Sequence, residues 1–408
     1  MSIKKTIQII YNKKSTRILN ITLICIFIFF LLILSSCTET YQYIRETTGP
    51  GGEGFVQSFP EKKDLGIYSS CIDANIRVRM LITEDSSFEV FSDSPIYKDG
   101  DLLDTSVDGS YIIKEVEQVS TFVSETGFTF KEKNYGKQLI VQRKDSNTLY
   151  LISSMPLIYY LAGVARAEMG MKFPEEAIKA QIIAARTYFW ATKLEDKPYD
   201  ITNSINSQVF LYDNISFFIP LVAQTDNLVL LYDDKIFPAY FHSNSGGILT
   251  TPDRVWGKTS SPVFQVKPDP YSDDYTIWKA DIGRYFIKTL FERAGYAVDG
   301  YATSIKVDSV GIDKRATTVT VSFSNNKTYT TSSDAFRKIV GTTVIKSTIF
   351  SVCYNENSQN FTFSGYGYGH GVGLSQIGAK NMAEKGFNYL QILAFYYNSS
   401  TISYKIKP

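Results

Sequence analysis

The chain has 408 residues, with 42 Lys and Arg against 41 Asp and Glu and a formal net charge of +1. Acids and bases alternate along it without a basic block, which excludes nucleic acid as a partner class. Its 28 Tyr and 27 Phe suit a strand-rich or carbohydrate-facing protein, and equally an AT-rich coding bias.

At the start, Lys4, Lys5, Lys13, Lys14 and Arg17 precede an apolar stretch over 18–34. A charged region, an apolar region and small residues before a cut describe an export signal. The stretch ends Leu34-Ser35-Ser36-Cys37, which resembles the lipobox of bacterial lipoproteins. That resemblance implies a signal peptide over 1–36, lipid on Cys37 and a membrane held through that lipid. An uncleaved anchor is the alternative, because the stretch is nearly long enough to span. Either way the body lies outside the cytoplasmic membrane of a bacterial cell envelope and close to it. Residues 37–64 are polar, bear Gly and Pro, and read as a flexible tether.

From 65 to 154 the chain carries short β-type runs, among them NIRVRMLI, SFEVFS, QLIVQR and TLYLIS, separated by Asp, Ser, Gly and Asn turns. Such spacing predicts an antiparallel sheet. From 155 to 405 helices and strands mix. PLIYYLAGVARAE has helical spacing and breaks at Met169-Gly170. Pro174 opens PEEAIKAQIIAARTYFWATK as its first helical residue, with Glu175 and Glu176 in the first turn, and this predicts a buried central helix. Further helices are predicted at DIGRYFIKTLFERAG, at SQIGAKNMAEKG with Ser375 as cap and Gly386 as stop, and at YLQILAFYY. The fold class is α+β: mixed antiparallel β-rich lobes around a central helix, forming a cleft. Residues 65–405 are read as one catalytic unit with lobes.

Of the cysteines, Cys25 leaves with the signal. If Cys37 is lipidated, Cys71 and Cys353 remain, either paired or as two free thiols. A four-thiolate zinc site is excluded by count.

The chain has only two histidines, His242 and His370. The first lies in AYFHSNSGG and the second in GYGYGHGVGLSQIGA, where Gly, Ser and Asn let backbone approach a ligand. Two such loops argue for one site built from distant segments. Glu168 ends a helical run just before a break, where a carboxylate can project into a cleft. Lys179 and Arg186 are seven apart, hence on one helix face; they either line a polar cleft or pair with acids such as Glu176. Alternating glycines from 365 to 373 put Tyr366, Tyr368 and His370 on one side of bare backbone. That suits a floor for a sugar ring with tyrosines to stack; a glycine-rich strand edge is the plainer reading.

Together these segments resemble the SpoIID/LytB family, the stage II sporulation protein D type of peptidoglycan lytic transglycosylase. The resemblance rests on YLAGVARAEM, FPEEAIKAQIIAARTY, FHSNSGGILT, VWG and GYGHGVGLSQIGAKNMAEKGFNYLQILAFYY, in that order, from about 76 to 398. Gly170 stands where the family has Pro, and Phe173 where it has Trp or Tyr. The resemblance implies that Glu168 is the catalytic glutamate. It implies that Lys179 and Arg186 line the cleft, and that His242, Ser243, Ser245, His370 and Gln376, with Tyr368, contact substrate. No cofactor is implied. Some relatives bind zinc through the first histidine and nearby cysteines; no Cys lies between Cys71 and Cys353, so no metal is expected.

The implied reaction cleaves the MurNAc–GlcNAc bond of denuded glycan strands without water and leaves 1,6-anhydro-MurNAc ends. An intramolecular nucleophile lets one carboxyl serve, where water-using glycosidases need two. The alternative is a non-catalytic glycan-binding enhancer of another wall hydrolase, with a cell-wall amidase as the candidate partner.

Overall fold

A computed structural model describes residues 74–404 apart from 84–86, 104–108, 115, 117, 205–206 and 273–275. The signal peptide, Cys37, the tether and Cys71 lie outside the described residues. Cys353 is an exposed free thiol. Among the described residues no helix is long and apolar enough to cross a membrane.

The architecture is α+β, built on three apolar cores. The first strands form the N-terminal β part. Asn75–Thr83, Leu149–Pro156, Gln138–Arg143 and Val119–Val123 are successive antiparallel neighbours. A smaller sheet, Ser87–Phe91 with Ser110–Lys114 and Thr129–Phe130, faces them. Alternation explains the packing: Gln138–Arg143 buries Leu139 and Val141 and leaves the residues between half-buried or exposed. Val90, Ile113, Phe122, Phe128, Leu139, Val141 and Leu151 fill the space between the sheets.

Strand Leu149–Pro156 runs directly into helix Leu157–Glu168. A turn then leads to the central helix, Glu175–Thr192. Pro174 is its N-cap, one position before the place the sequence suggested; its carbonyl accepts from Ile178 N at 3.1 Å. Ala177, Ile178, Ile182, Ile183, Ala184 and Phe189 are all fully buried, so apolar contacts surround this helix on most sides. Helices Gln376–Glu384 and Tyr389–Tyr396 pack on it. Ser375 caps the first of these by accepting from Gly378 N, and Asn388 caps the second through a full capping box with Gln391.

Residues 278–366 carry a separate apolar core of Ile287, Phe291, Val319, Val321, Phe336, Phe361 and Phe363. It lies between helices Arg284–Arg293 and Ser333–Val340 and two three-stranded sheets. The last strand, Asn360–Tyr366, delivers the chain into the glycine-rich loop.

One glycine inside a helix has a packing reason. A Cβ on Gly163 would stand 2.3 Å from the Phe210 ring and 2.5 Å from the Leu211 carbonyl oxygen. The segment around 208–212 therefore lies flat on helix Leu157–Glu168, and Leu211 N donates to the Gly163 carbonyl. Gly163→Ala is expected to destabilise the protein by about 1–3 kcal/mol, as overpacking does. A denaturant midpoint unchanged from wild type would contradict that packing.

Candidate active site

Glu168 is the last residue of its helix and is half-buried. Gln376, the first residue of helix Gln376–Glu384, donates from Nε2 to Glu168 Oε2 at 2.8 Å. The bond joins residues 208 apart in the chain. The backbone of Val209 adds a second hydrogen bond to the carboxylate. Burial raises the Glu168 pKa above the ordinary glutamate value, and the hydrogen bonds from Gln376 and Val209 oppose it without cancelling it.

Strands Phe241–His242 and Leu374–Ser375 pair in parallel, with His242 opposite Ser375. Ile377 N donates to the Ser243 carbonyl. The two histidine loops thus lie side by side, and the Gln376 bond ties the first motif to them. The His242 and His370 rings are 5.3 Å apart. His242 is 4% exposed, and its Nδ1 is 3.1 Å from the Val372 carbonyl. A carbonyl only accepts, so Nδ1 carries the proton and Nε2 is the free lone pair. That Nε2 is buried with no hydrogen-bond partner among the described residues. His370 accepts from Val372 N through Nδ1 at 3.0 Å. Burial, with Arg337 and Arg315 nearby, pushes the His370 pKa down to about 3. Burial, with His370 and Arg315, drives His242 well down too. Both rings are neutral at physiological pH.

The glycine loop is not a pleated floor. Gly367, Gly369, Gly371 and Gly373 all take positive φ, between 71° and 111°. The alternation arises because every second residue is left-handed, a conformation that favours glycine. It lets the loop lie backbone-to-backbone on the other histidine loop: a Cβ on Gly367 would stand 2.9 Å from both Asn244 O and Gly246 N. Tyr366 and Tyr368 emerge from it 40% and 37% exposed.

Three residues expected to touch substrate are engaged by the protein's own groups. Arg186 is fully buried. Its guanidinium donates to the carbonyls of Thr225 (2.6 Å), Leu228 (3.1 Å) and Val222 (3.3 Å), at and beyond the C-terminal end of helix Ile219–Gln224. Ser245 is fully buried and donates to Asp269 at 2.8 Å. Asp269 is itself a buried hub that also accepts from Ser272 and Tyr396. Lys179 pairs with Glu176 at 3.0 Å on its own helix. Neither Lys179 nor Arg186 contributes to the Glu168 shift. A cation beside the acid would have lowered its pKa; here none does.

Sequence reasoning missed Val209 and Asp269. A backbone donor such as Val209 N has no residue signature, and nothing near Asp269 marks it as a hub. Gly163 was findable, because a glycine within a helical pattern signals close approach. Among the described residues no group of three or more His, Cys, Asp or Glu is placed to hold a metal ion. A cavity of about 110 Å³ lined by Arg254, Asp313, Arg315 and Asp334 is separate from Glu168.

The family described as SpoIID, stage II sporulation protein, matches residues 145–232, which contain Glu168 and the central helix. Over that segment the chain is similar to the SpoIID family. Similar proteins extend the likeness beyond that segment. An uncharacterized protein of Brachyspira hyodysenteriae is 28% identical over 301 residues, covering 69% of this chain and 75% of that protein. The amidase enhancer of Bacillus subtilis is 29% identical over 289 residues, covering 60% of this chain but 40% of the enhancer. Stage II sporulation protein D of Bacillus subtilis is 25% identical over 272 residues, covering 62% of this chain and 76% of that protein.

Proposed function

We propose that this protein is a peptidoglycan lytic transglycosylase that cleaves the MurNAc–GlcNAc bond of denuded glycan strands. The observation that carries the reading is Glu168: a half-buried residue whose carboxyl has a raised pKa and accepts from the neutral donor Gln376. A raised pKa keeps a carboxylic acid protonated at higher pH, which general-acid work requires.

In this mechanism Glu168 gives its proton to the glycosidic oxygen as the bond from the muramic anomeric carbon to that oxygen breaks. The muramic 6-hydroxyl oxygen then bonds to the anomeric carbon. The Glu168 carboxylate takes the 6-hydroxyl proton. The products are a 1,6-anhydro-MurNAc end and a free GlcNAc 4-hydroxyl, and Glu168 is protonated again. No water is consumed, so no second carboxylate is needed to activate one. Gln376 and Val209 fix the orientation of the acid. His242 and His370, both neutral, shape the wall of the site.

The pH dependence tests this assignment. With the raised pKa on the acid, cleavage is expected to fall as pH rises through that value. A rate that climbs over the same range would remove Glu168 from the role.

A second reading is favoured by the relative named amidase enhancer: a non-catalytic glycan binder that assists a cell-wall amidase. In either reading the substrate or ligand is peptidoglycan. The leader over 1–36 and Cys37 support export and a lipid anchor to a bacterial membrane.

A further inference from the structure

Arg186 is sealed in the interior, so the charge that recognises a denuded strand must come from elsewhere. A denuded strand carries a free lactyl carboxylate on each muramic ring. Two lysines at the rim of the histidine loops have the matching charge. Lys346 holds its Nζ 5.8 Å from the centre of the Tyr368 ring, and Lys258 holds its Nζ 5.6 Å from the Trp256 ring. Both separations are within cation–π range. Neither lysine makes an ion pair among the described residues, whereas the neighbouring Lys338 is held by Asp334 at 2.7 Å.

The two pairs flank one site. Trp256 packs 5.0 Å from the His370 ring, and Tyr240 packs 4.9 Å from Trp256. Tyr368 is two residues before His370, and its backbone exchanges hydrogen bonds with Asn244, two residues after His242. The Lys346 carbonyl accepts from Gly369 N, which fixes that lysine to the same loop. Each pair therefore places an aromatic ring and an ammonium together at the histidine loops.

We propose that Lys346 with Tyr368, and Lys258 with Trp256, read the lactyl carboxylate of denuded muramic residues and so set the preference for denuded glycan. This rests on the glycan reading above and adds residues to it. Stem peptides amide-link that carboxylate and remove its charge, so peptide-bearing strands lose this contact.

The test compares binding of denuded strands with binding of chitin oligomers of matched length, which lack the lactyl group. The variants are Lys346→Gln with Lys258→Gln, and Lys346→Arg with Lys258→Arg, in the full chain. Wild type is expected to prefer denuded strands, more strongly at low salt. The Gln pair is expected to narrow that preference about tenfold, as for two partly exposed charges. The Arg pair, keeping both charges, is expected to retain most of it. An equal fall for both ligands, or an unchanged preference in the Gln pair, would overturn the proposal while leaving glycan binding in place. Binding of neither ligand by wild type would instead overturn the glycan reading itself, and this assignment with it.

Discussion

Glu168→Gln is expected to fold as wild type and to lose cleavage of denuded glycan by a factor of about 10²–10⁴, the usual worth of a positioned general acid. The amide keeps the size and the hydrogen-bond acceptor for Gln376 Nε2, which sits 2.8 Å from the carboxylate. Only the transferable proton goes. Because burial disfavours the carboxylate, the neutral amide is also expected to be at least as stable, most visibly at high pH. The sign follows from the raised pKa: the folded state binds the proton longer than the unfolded one, so ionisation with rising pH destabilises wild type and not the amide. Cleavage within a few-fold of wild type would place the acid on another residue. Gln376→Ala should retain part of the activity, since it orients the acid and supplies no proton.

Arg186→Ala is expected to lower stability by about 3–5 kcal/mol, the range for stripping one partner from a buried charged network. Three carbonyls, those of Val222, Thr225 and Leu228, lose a charged donor inside the protein. Two of them, those of Val222 and Thr225, lie in the last turn and at the C-cap of helix Ile219–Gln224. Arg186→Lys is expected to recover little, because one ammonium cannot replace a planar fork that reaches several acceptors. Denaturant unfolding measures both. A variant that keeps its midpoint and selectively loses glycan affinity would return Arg186 to the cleft.

Lys179 and Arg186 also show where sequence reading ends. Their spacing puts them on one helix face; Lys179 pairs with Glu176, one of the two alternatives the sequence offered, whereas Arg186 caps a helix end from the inside. The carbonyls that receive Arg186 belong to 222–228, a stretch with no residue pattern that announces them. The glycine loop misled for a related reason. Glycine at every second position looks like a pleat, but left-handed backbone at every second position gives the same text. Ser245 was read as a ligand because it sits in a motif; its partner Asp269 is 24 residues away and unmarked.

Other features were readable because they depend on local chemistry. Period-two runs such as QLIVQR became strands, and Pro174 with Glu175 and Glu176 marked the central helix to within one residue. Ser375 caps its helix as expected, and Gly386 follows its end with φ at 89°. The meeting of the two histidine loops was legible because both are small-residue loops suited to one site; the bond from Gln376 to Glu168 was not, since the sequence put Gln376 on substrate. Nor was the separate core within 278–366: its apolar residues have the same spacing as those of the other cores, and only the contacts divide them.

The central claim is that Glu168 drives intramolecular, water-free cleavage. Mass spectrometry of denuded glycan strands after incubation with the protein tests it most directly. Products ending in 1,6-anhydro-MurNAc, without uptake of ¹⁸O from labelled water, are the predicted result. Reducing ends carrying the label, or strands that bind and remain uncut, would contradict it.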